Sequence, residues 1–323
     1  MKYSFYRQSS VFDGHGGTFT AEYAGDNFSR ILTSREEWTG YLSLDKCGRA
    51  ESPGIELLKA ALTGAFLDID EELCTIHQKR LSQLAQFHQK MGSKNNKSRK
   101  ASHARKGPSG KIDIHEGNGL PPLPTLDSIA KDKVILDRSG STAVVVLLTP
   151  THIICSNAGD SRSILCHGGK ALPLSFDHKP SSVVENSRIN EAGGYVRMKR
   201  IDGDLAVSRG LGDFRYKLNE DLPCEKQKVT ANPDFMVCPR DYVKDEFVIV
   251  GCDGIWDVID NNGCATMVQE ILDNGENDIG TICEKVLDLC LEKESKDNMT
   301  VCMIALPACR FSGDTNPPNE GRQ

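Results

Sequence analysis

A chain of 323 residues, 38% hydrophobic and 26% charged, can bury a full core in one mixed sheet-and-helix domain, and nothing in its composition forces a second. Its twelve cysteines are scattered singly, without a Cys-x-x-Cys pair, which excludes a disulfide scaffold and points to reduced thiols in a cytoplasmic or nuclear protein. Residues 1–7 lack the apolar core of a signal peptide, and no run approaches the roughly 18–20 apolar residues of a membrane span.

In chain order, Ser10-Val11-Phe12 reads as a short strand, and residues 17–32 read as a helix that starts beside Gly16 and Gly17. Ile55, Leu58, Leu62, Phe66, Ile69, Leu73 and Ile76 recur at intervals of three and four, which predicts a core-facing helix over 53–78. Between Lys79 and Lys111 there are ten Lys and Arg and no Asp or Glu, against a net charge of -6 for the chain. Such a stretch buries too little apolar surface to offset its ordering entropy, so about 80–133 reads as a disordered basic insert. It is either a solvated loop or, over 79–111, a docking segment for an acidic partner.

Strands are predicted over 142–149, 151–157, 163–166, 205–208, 234–238, 247–252 and 299–305, from β-branched runs between short turns. Helices are predicted over 181–191, closed by Gly193-Gly194, and over 262–272 and 279–294. Residues 311–323 read as a disordered tail. Antiparallel strands in series with helices in pairs imply helices outside a two-sheet sandwich, an α+β fold.

Four acidic signatures stand where strands give way to turns. They are Asp13-Gly14-His15-Gly16-Gly17, Gly159-Asp160-Ser161-Arg162, Asp253-Gly254-Ile255-Trp256-Asp257 and Asp297-Asn298. Each alone is consistent with a plain turn, since Gly accepts positive φ and Asp bonds its own backbone. Together, strand ends lying side by side would deliver four carboxylates into one cleft. Carboxylates that close stay ionised only against positive charge, and for oxygen ligands that means a hard divalent cation such as Mg²⁺ or Mn²⁺.

With these motifs the chain resembles the metal-dependent protein phosphatases, the type 2C serine/threonine phosphatases of the PPM family. The resemblance runs from about Val11 to Pro307, around the insert. It includes Gly140-Ser141-Thr142-Ala143, Asp177-His178-Lys179-Pro180, Leu205-Ala206-Val207-Ser208-Arg209, Leu211-Gly212-Asp213 and Lys296-Asp297-Asn298-Met299-Thr300. It implies an α-β-β-α sandwich, one phosphatase domain over 1–310, and a site at one end of the sheets.

Serine and threonine phosphate esters are very stable, so their hydrolysis needs a strong nucleophile and charge neutralisation on the phosphoryl group. Two divalent ions roughly 3.5–4 Å apart supply both by acidifying a shared water and clamping phosphate oxygens. The resemblance implies Asp13 as bridging ligand, the Gly14 carbonyl on one ion, Asp253 and Asp297 on the other, and Asp160 with Asp253 at a weaker third position. For Asp160, a turn carboxylate pairing with Arg162 is the alternative. His15, two residues past Asp13, would be the general acid that protonates the departing oxygen. His178, Lys179 and Arg188 fall in a flap beside the cleft and are candidates for substrate contact. Leu205–Arg209 and Asp213 read as structural supports, and Asp257 as either a helix entry or a support for the metal site.

Family members carry, upstream of the first motif, an arginine that grips the substrate phosphate and a Glu-Asp pair that supports metal binding. The twelve residues before Asp13 carry neither pattern. The expectation is an apparent loss of that segment and of at least one strand. A second expectation follows, a weakly active or inactive form that binds phosphoproteins as a regulator. A third makes the basic insert the functional element. The first reading, a monomeric phosphatase acting on phosphoprotein substrates, accounts for the aspartates best.

Overall fold

The computed structural model describes residues 6–102 and 138–311. Strand β1 (Arg7–Val11) and the two-residue β2 (Gly14–His15) lead into helices α1 (Phe19–Ser34), α2 (Glu36–Ser43), α3 (Lys46–Ala50) and α4 (Ser52–Ser102). Strands β3 (Gly140–Ser141), β4 (Ala143–Leu148), β5 (His152–Ala158), β6 (Arg162–His167) and β7 (Lys170–Pro173) follow. Helix α5 (Val183–Glu191) and the short strands β8 (Val196–Arg197), β9 (Arg200–Ile201) and β10 (Leu211–Gly212) form the segment before β11 (Asp234–Pro239) and β12 (Asp245–Gly251). The chain then runs through α6 (Asp253–Trp256), α7 (Asn261–Asp273), α8 (Ile279–Glu292) and β13 (Val301–Ala305).

Two four-stranded sheets result, in the orders β1-β4-β5-β11 and β13-β12-β6-β7, with antiparallel pairing throughout. The alternation along β4 shows why they stack. Val144, Val146 and Leu148 face a core shared with Leu165, Val248 and Val250 of the other sheet. Ala143, Val145 and Leu147 point the other way and pack under Phe28 and Leu32 of α1 and Leu58, Leu62 and Phe66 of α4. The period of two thus supplies both faces of a buried strand. On the far side, Ile164, Phe247 and Ile249 pack under Val268 and Ile271 of α7 and Ile282 and Val286 of α8. The layers run helix, sheet, sheet, helix, as the element pattern predicts.

Three sequence expectations are corrected. The helix predicted over 53–78 continues to Ser102 and takes in the first part of the stretch read as a disordered insert. No proline falls between Pro53 and Pro108, and Lys, Arg, Gln and Met are good helix formers, so intrinsic propensity favours continuing the helix. The rest of the insert, 103–137, and the tail from 312 lie outside the described residues. The strand expected over 205–208 does not form; only an isolated bridge joins Ile201 to Leu205. Ser208 instead donates its hydroxyl to the His178 carbonyl, 2.9 Å away. Helices α2 and α3 were not anticipated, being too short to show a period. Among the described residues, no helix is long and apolar enough to cross a membrane.

The register brings the functional turns to one end of the sandwich. Val11 at the end of β1 lies opposite Val144, while Ala158 at the end of β5 lies opposite Ala143. In the second sheet Gly251 ends β12 between Arg162 and Val301. The Gly159–Ser161 turn crosses from one sheet to the other at that same end.

Candidate active site

Asp13 lies two residues past the end of β1, and its carbonyl accepts the Thr142 amide at 2.9 Å, which fixes the turn against the start of β4. Asp160 sits in the crossing turn, beneath a hydroxyl pair between Thr142 and Ser161 at 2.7 Å. Asp253 opens α6, and the Cys252 amide donates to the Thr300 carbonyl at 3.1 Å, tying this strand end to the entry of β13. Gly254 is needed here because a Cβ would overlap the Asn298 carbonyl, so its absence lets the Asp297 loop approach Asp253. Asp297 receives its neighbour's amide, Asn298 N–H, at 2.7 Å.

The four aspartates therefore share one electrostatic environment, as their motifs predict. Burial raises the Asp13 carboxyl above its ordinary value, and repulsion from Asp160 and Asp297 adds to this. Asp253 is pushed up to about 7, first by burial and then by Asp160, Asp13, Asp297 and Asp257. A carboxylate so destabilised needs added positive charge to stay ionised at neutral pH. Ligand atoms of Asp13, Cys252 and Asp253 lie within 4.8 Å of one another. The thiol is already committed: Cys252 Sγ donates to the Asn298 carbonyl at 3.4 Å and accepts the Thr300 amide at 3.1 Å. Burial also holds that thiol in its neutral form. The available donors are hard oxygens, which fit Mg²⁺ or Mn²⁺ and disfavour soft metals.

His15, on β2, places Nε2 2.7 Å from Asp213 Oδ2, a contact spanning 198 residues of sequence. The side chain of His15 is one-third exposed and that of Asp213 is buried. Burial alone would lower the imidazole, but the Asp213 hydrogen bond and charge, with Asp13 and Asp160, outweigh it and raise the net value. The balance favours the protonated ring. The pair leaves no room for a side chain at Gly140, where a Cβ would overlap both Asp213 and His15. Asp213 itself adopts a left-handed backbone, φ 51°, and its buried Oδ1 has no hydrogen-bond partner among the described residues. Asp213, expected as a structural support, lies directly against His15, a contact that no local sequence pattern signals.

Below the pair, Asp70 of α4 accepts the Gly212 amide and both its oxygens accept Lys217 Nζ, each at 2.8 Å. This buried ion pair fixes the residue before Asp213 onto the long helix.

The flap candidates separate. His178 is buried: its Nδ1 accepts the Gly159 amide at 3.2 Å, and Nε2 donates to Asp234 Oδ2 at 3.1 Å. Arg188 is buried as well, bonded to Glu185 at 2.8 Å and to the Gln227 and Ser208 carbonyls. These bonds tie both side chains into the flap. Lys179 does reach the cleft, with Nζ 2.6 Å from Asp160 Oδ2. The alternative partner for Asp160 is also corrected, because Arg162 makes a two-pronged bridge to Asp177, at 2.9 Å through each nitrogen, and a third bond to Asn261. The Gly14 backbone lies in β2 opposite Ser141, beside Asp13.

The chain is similar to known proteins over most of its length. The family model described as protein phosphatase 2C matches residues 73–299, which include Asp160, Asp253 and Asp297. Protein phosphatase 1B of Mus musculus is 34% identical over 295 residues, covering 91% of this chain and 61% of its own length. Protein phosphatase 1A of Bos taurus is 32% identical over 298 residues, covering 92% of this chain and 62% of its own. The chain thus spans about three-fifths of the length of these curated relatives. Among solved structures, a phosphatase from a pathogenic strain of Toxoplasma gondii has a similar fold, with TM-score 0.64 at 22% identity, over 93% of this chain and 85% of that one.

Proposed function

The chain belongs to the protein phosphatase 2C family, and from that premise we propose that it is a metal-dependent protein phosphatase that hydrolyses phosphoserine and phosphothreonine. The observation that carries the reading is the coexistence, in one cleft, of a mutually repelling set of carboxylates and a histidine hydrogen-bonded to a buried aspartate.

Asp13, the Gly14 carbonyl, Asp253 and Asp297 would hold two Mg²⁺ or Mn²⁺ ions, with Asp160 at a third position. Ions so held supply an acidified water as nucleophile and positive charge against the phosphoryl oxygens. His15 acts at the other end of the scissile bond. Its Nε2–H is engaged by Asp213 Oδ2, which leaves Nδ1 as the ring nitrogen that gives a proton to the departing serine or threonine oxygen. Asp213 orients the ring through Nε2–H and supports the positive charge it carries before Nδ1 gives up its proton. Asp70 and Lys217 hold the Gly212–Asp213 turn in place from α4.

The test is release of inorganic phosphate from a phosphothreonine peptide. The expected result is turnover that requires Mn²⁺ or Mg²⁺ and disappears on chelation. A chain that binds the peptide but releases no phosphate at any metal concentration would instead be a phosphoprotein-binding regulator.

A further inference from the structure

Resting on the phosphatase reading, the geometry points to Lys179 as a tethered cation for the Asp160 carboxylate, which a divalent ion must displace to reach that position. Asp160 is almost wholly buried, with 4% of its side chain exposed, and Lys179 Nζ meets its Oδ2 at 2.6 Å. The neighbouring cation, Arg162, is committed to Asp177 and Asn261 and stacks over Trp256 at 5.3 Å. It does not compete for Asp160.

What makes the ammonium more than a surface pairing is its root. The His178 amide donates to the Gly159 carbonyl at 2.9 Å, while the Gly159 amide donates to His178 Nδ1 at 3.2 Å. These reciprocal bonds fasten the backbone just before Lys179 to the turn that carries Asp160, and Pro180 stiffens the other side. A charge on so short a tether has an effective concentration of about millimolar or more. It neutralises one member of the carboxylate cluster without any ion from solution.

A divalent ion at Asp160 must therefore break a charge-assisted hydrogen bond before it gains its ligand. That step weakens its binding by roughly 10- to 100-fold, the weight of one such bond. Ions at Asp13, Asp253 and Asp297 meet no such competitor among the described contacts.

The experiment is Mn²⁺ titration of the full chain by calorimetry, with bound ions counted by paramagnetic resonance at fixed ionic strength, for the wild type, Lys179→Met and Lys179→Arg. Expected are two tighter ions in all three chains. A third should appear at roughly 10- to 100-fold lower Mn²⁺ in Lys179→Met than in the wild type, with Lys179→Arg close to the wild type because it retains a cation. In Lys179→Met combined with Asp160→Asn the third ion should vanish. Two ions with a third phase indifferent to residue 179, or no third ion in Lys179→Met, overturns this inference and leaves the phosphatase reading standing. A wild type that binds no Mn²⁺ overturns both.

Discussion

Asp253→Asn is expected to remove turnover while making the metal-free protein more stable above pH 7. Asp253 belongs to the group of acids whose charges meet at the sheet ends, and its carboxyl is pushed up to about 7 by burial and by its acidic neighbours. A folded-state value above the unfolded one means that the neutral carboxyl favours the fold below about pH 4, and that this contribution is lost as pH rises through about 7. The shift corresponds to about 4 kcal/mol at most, which solvent screening at this half-open position reduces to about 1–2 kcal/mol. An amide stays neutral at every pH and can donate to Asp13, as the protonated acid does. In chelated samples the variant should therefore melt above the wild type at pH 8 and level with it near pH 4. With Mn²⁺ the order inverts, because the wild type gains a ligand-bound state and the variant loses a ligand. Loss of a metal ligand removes several kcal/mol of transition-state stabilisation, or about 10³-fold in rate at 1.36 kcal/mol per tenfold. A variant that is less stable without metal at pH 8, or that retains wild-type turnover, contradicts the assignment of Asp253.

The second large effect depends on the leaving group. His15→Ala should lower hydrolysis of a phosphothreonine peptide by roughly 10²- to 10⁴-fold, the usual weight of a general acid. An activated aryl phosphate, whose departing oxygen needs no proton, should lose far less. Asp213→Asn should show the same selectivity to a smaller degree, because it leaves the imidazole in place but removes the charge that keeps it protonated. Equal losses on the two substrates would take His15 out of proton transfer and leave it a positioning role.

What the sequence disclosed and what it withheld divide along the range of the interactions. Each aspartate of the cleft is followed or preceded by its own turn residues and strand, so Asp13, Asp160, Asp253 and Asp297 were all legible locally. The strands of the sandwich were legible for the same reason: Ala143–Leu148 is a continuous apolar run because both of its faces are buried. Contacts set by the tertiary fold were not legible. Nothing near Asp213 announces that it will lie against His15 across 198 residues. The nearest basic residue in sequence, Arg162, was the natural partner for Asp160, yet it starts β6 and turns to Asp177, while Lys179 arrives from the flap. The basic stretch after Lys79 was judged by its lack of apolar residues, although good helix formers suffice to carry α4 to Ser102. The strand expected over 205–208 had suitable residues but meets its neighbour β9 at a single bridge, Leu205 to Ile201, too little pairing to extend a ladder.

The central claim is that Asp13, Asp253 and Asp297 together bind a pair of divalent ions. Its most direct test is anomalous X-ray diffraction at the manganese absorption edge from crystals of the full chain grown with Mn²⁺. Two strong anomalous peaks in contact with Asp13, Asp253 and Asp297 are expected. A map with no peak among those three carboxylates, in crystals where the cleft is open to solvent, would contradict it.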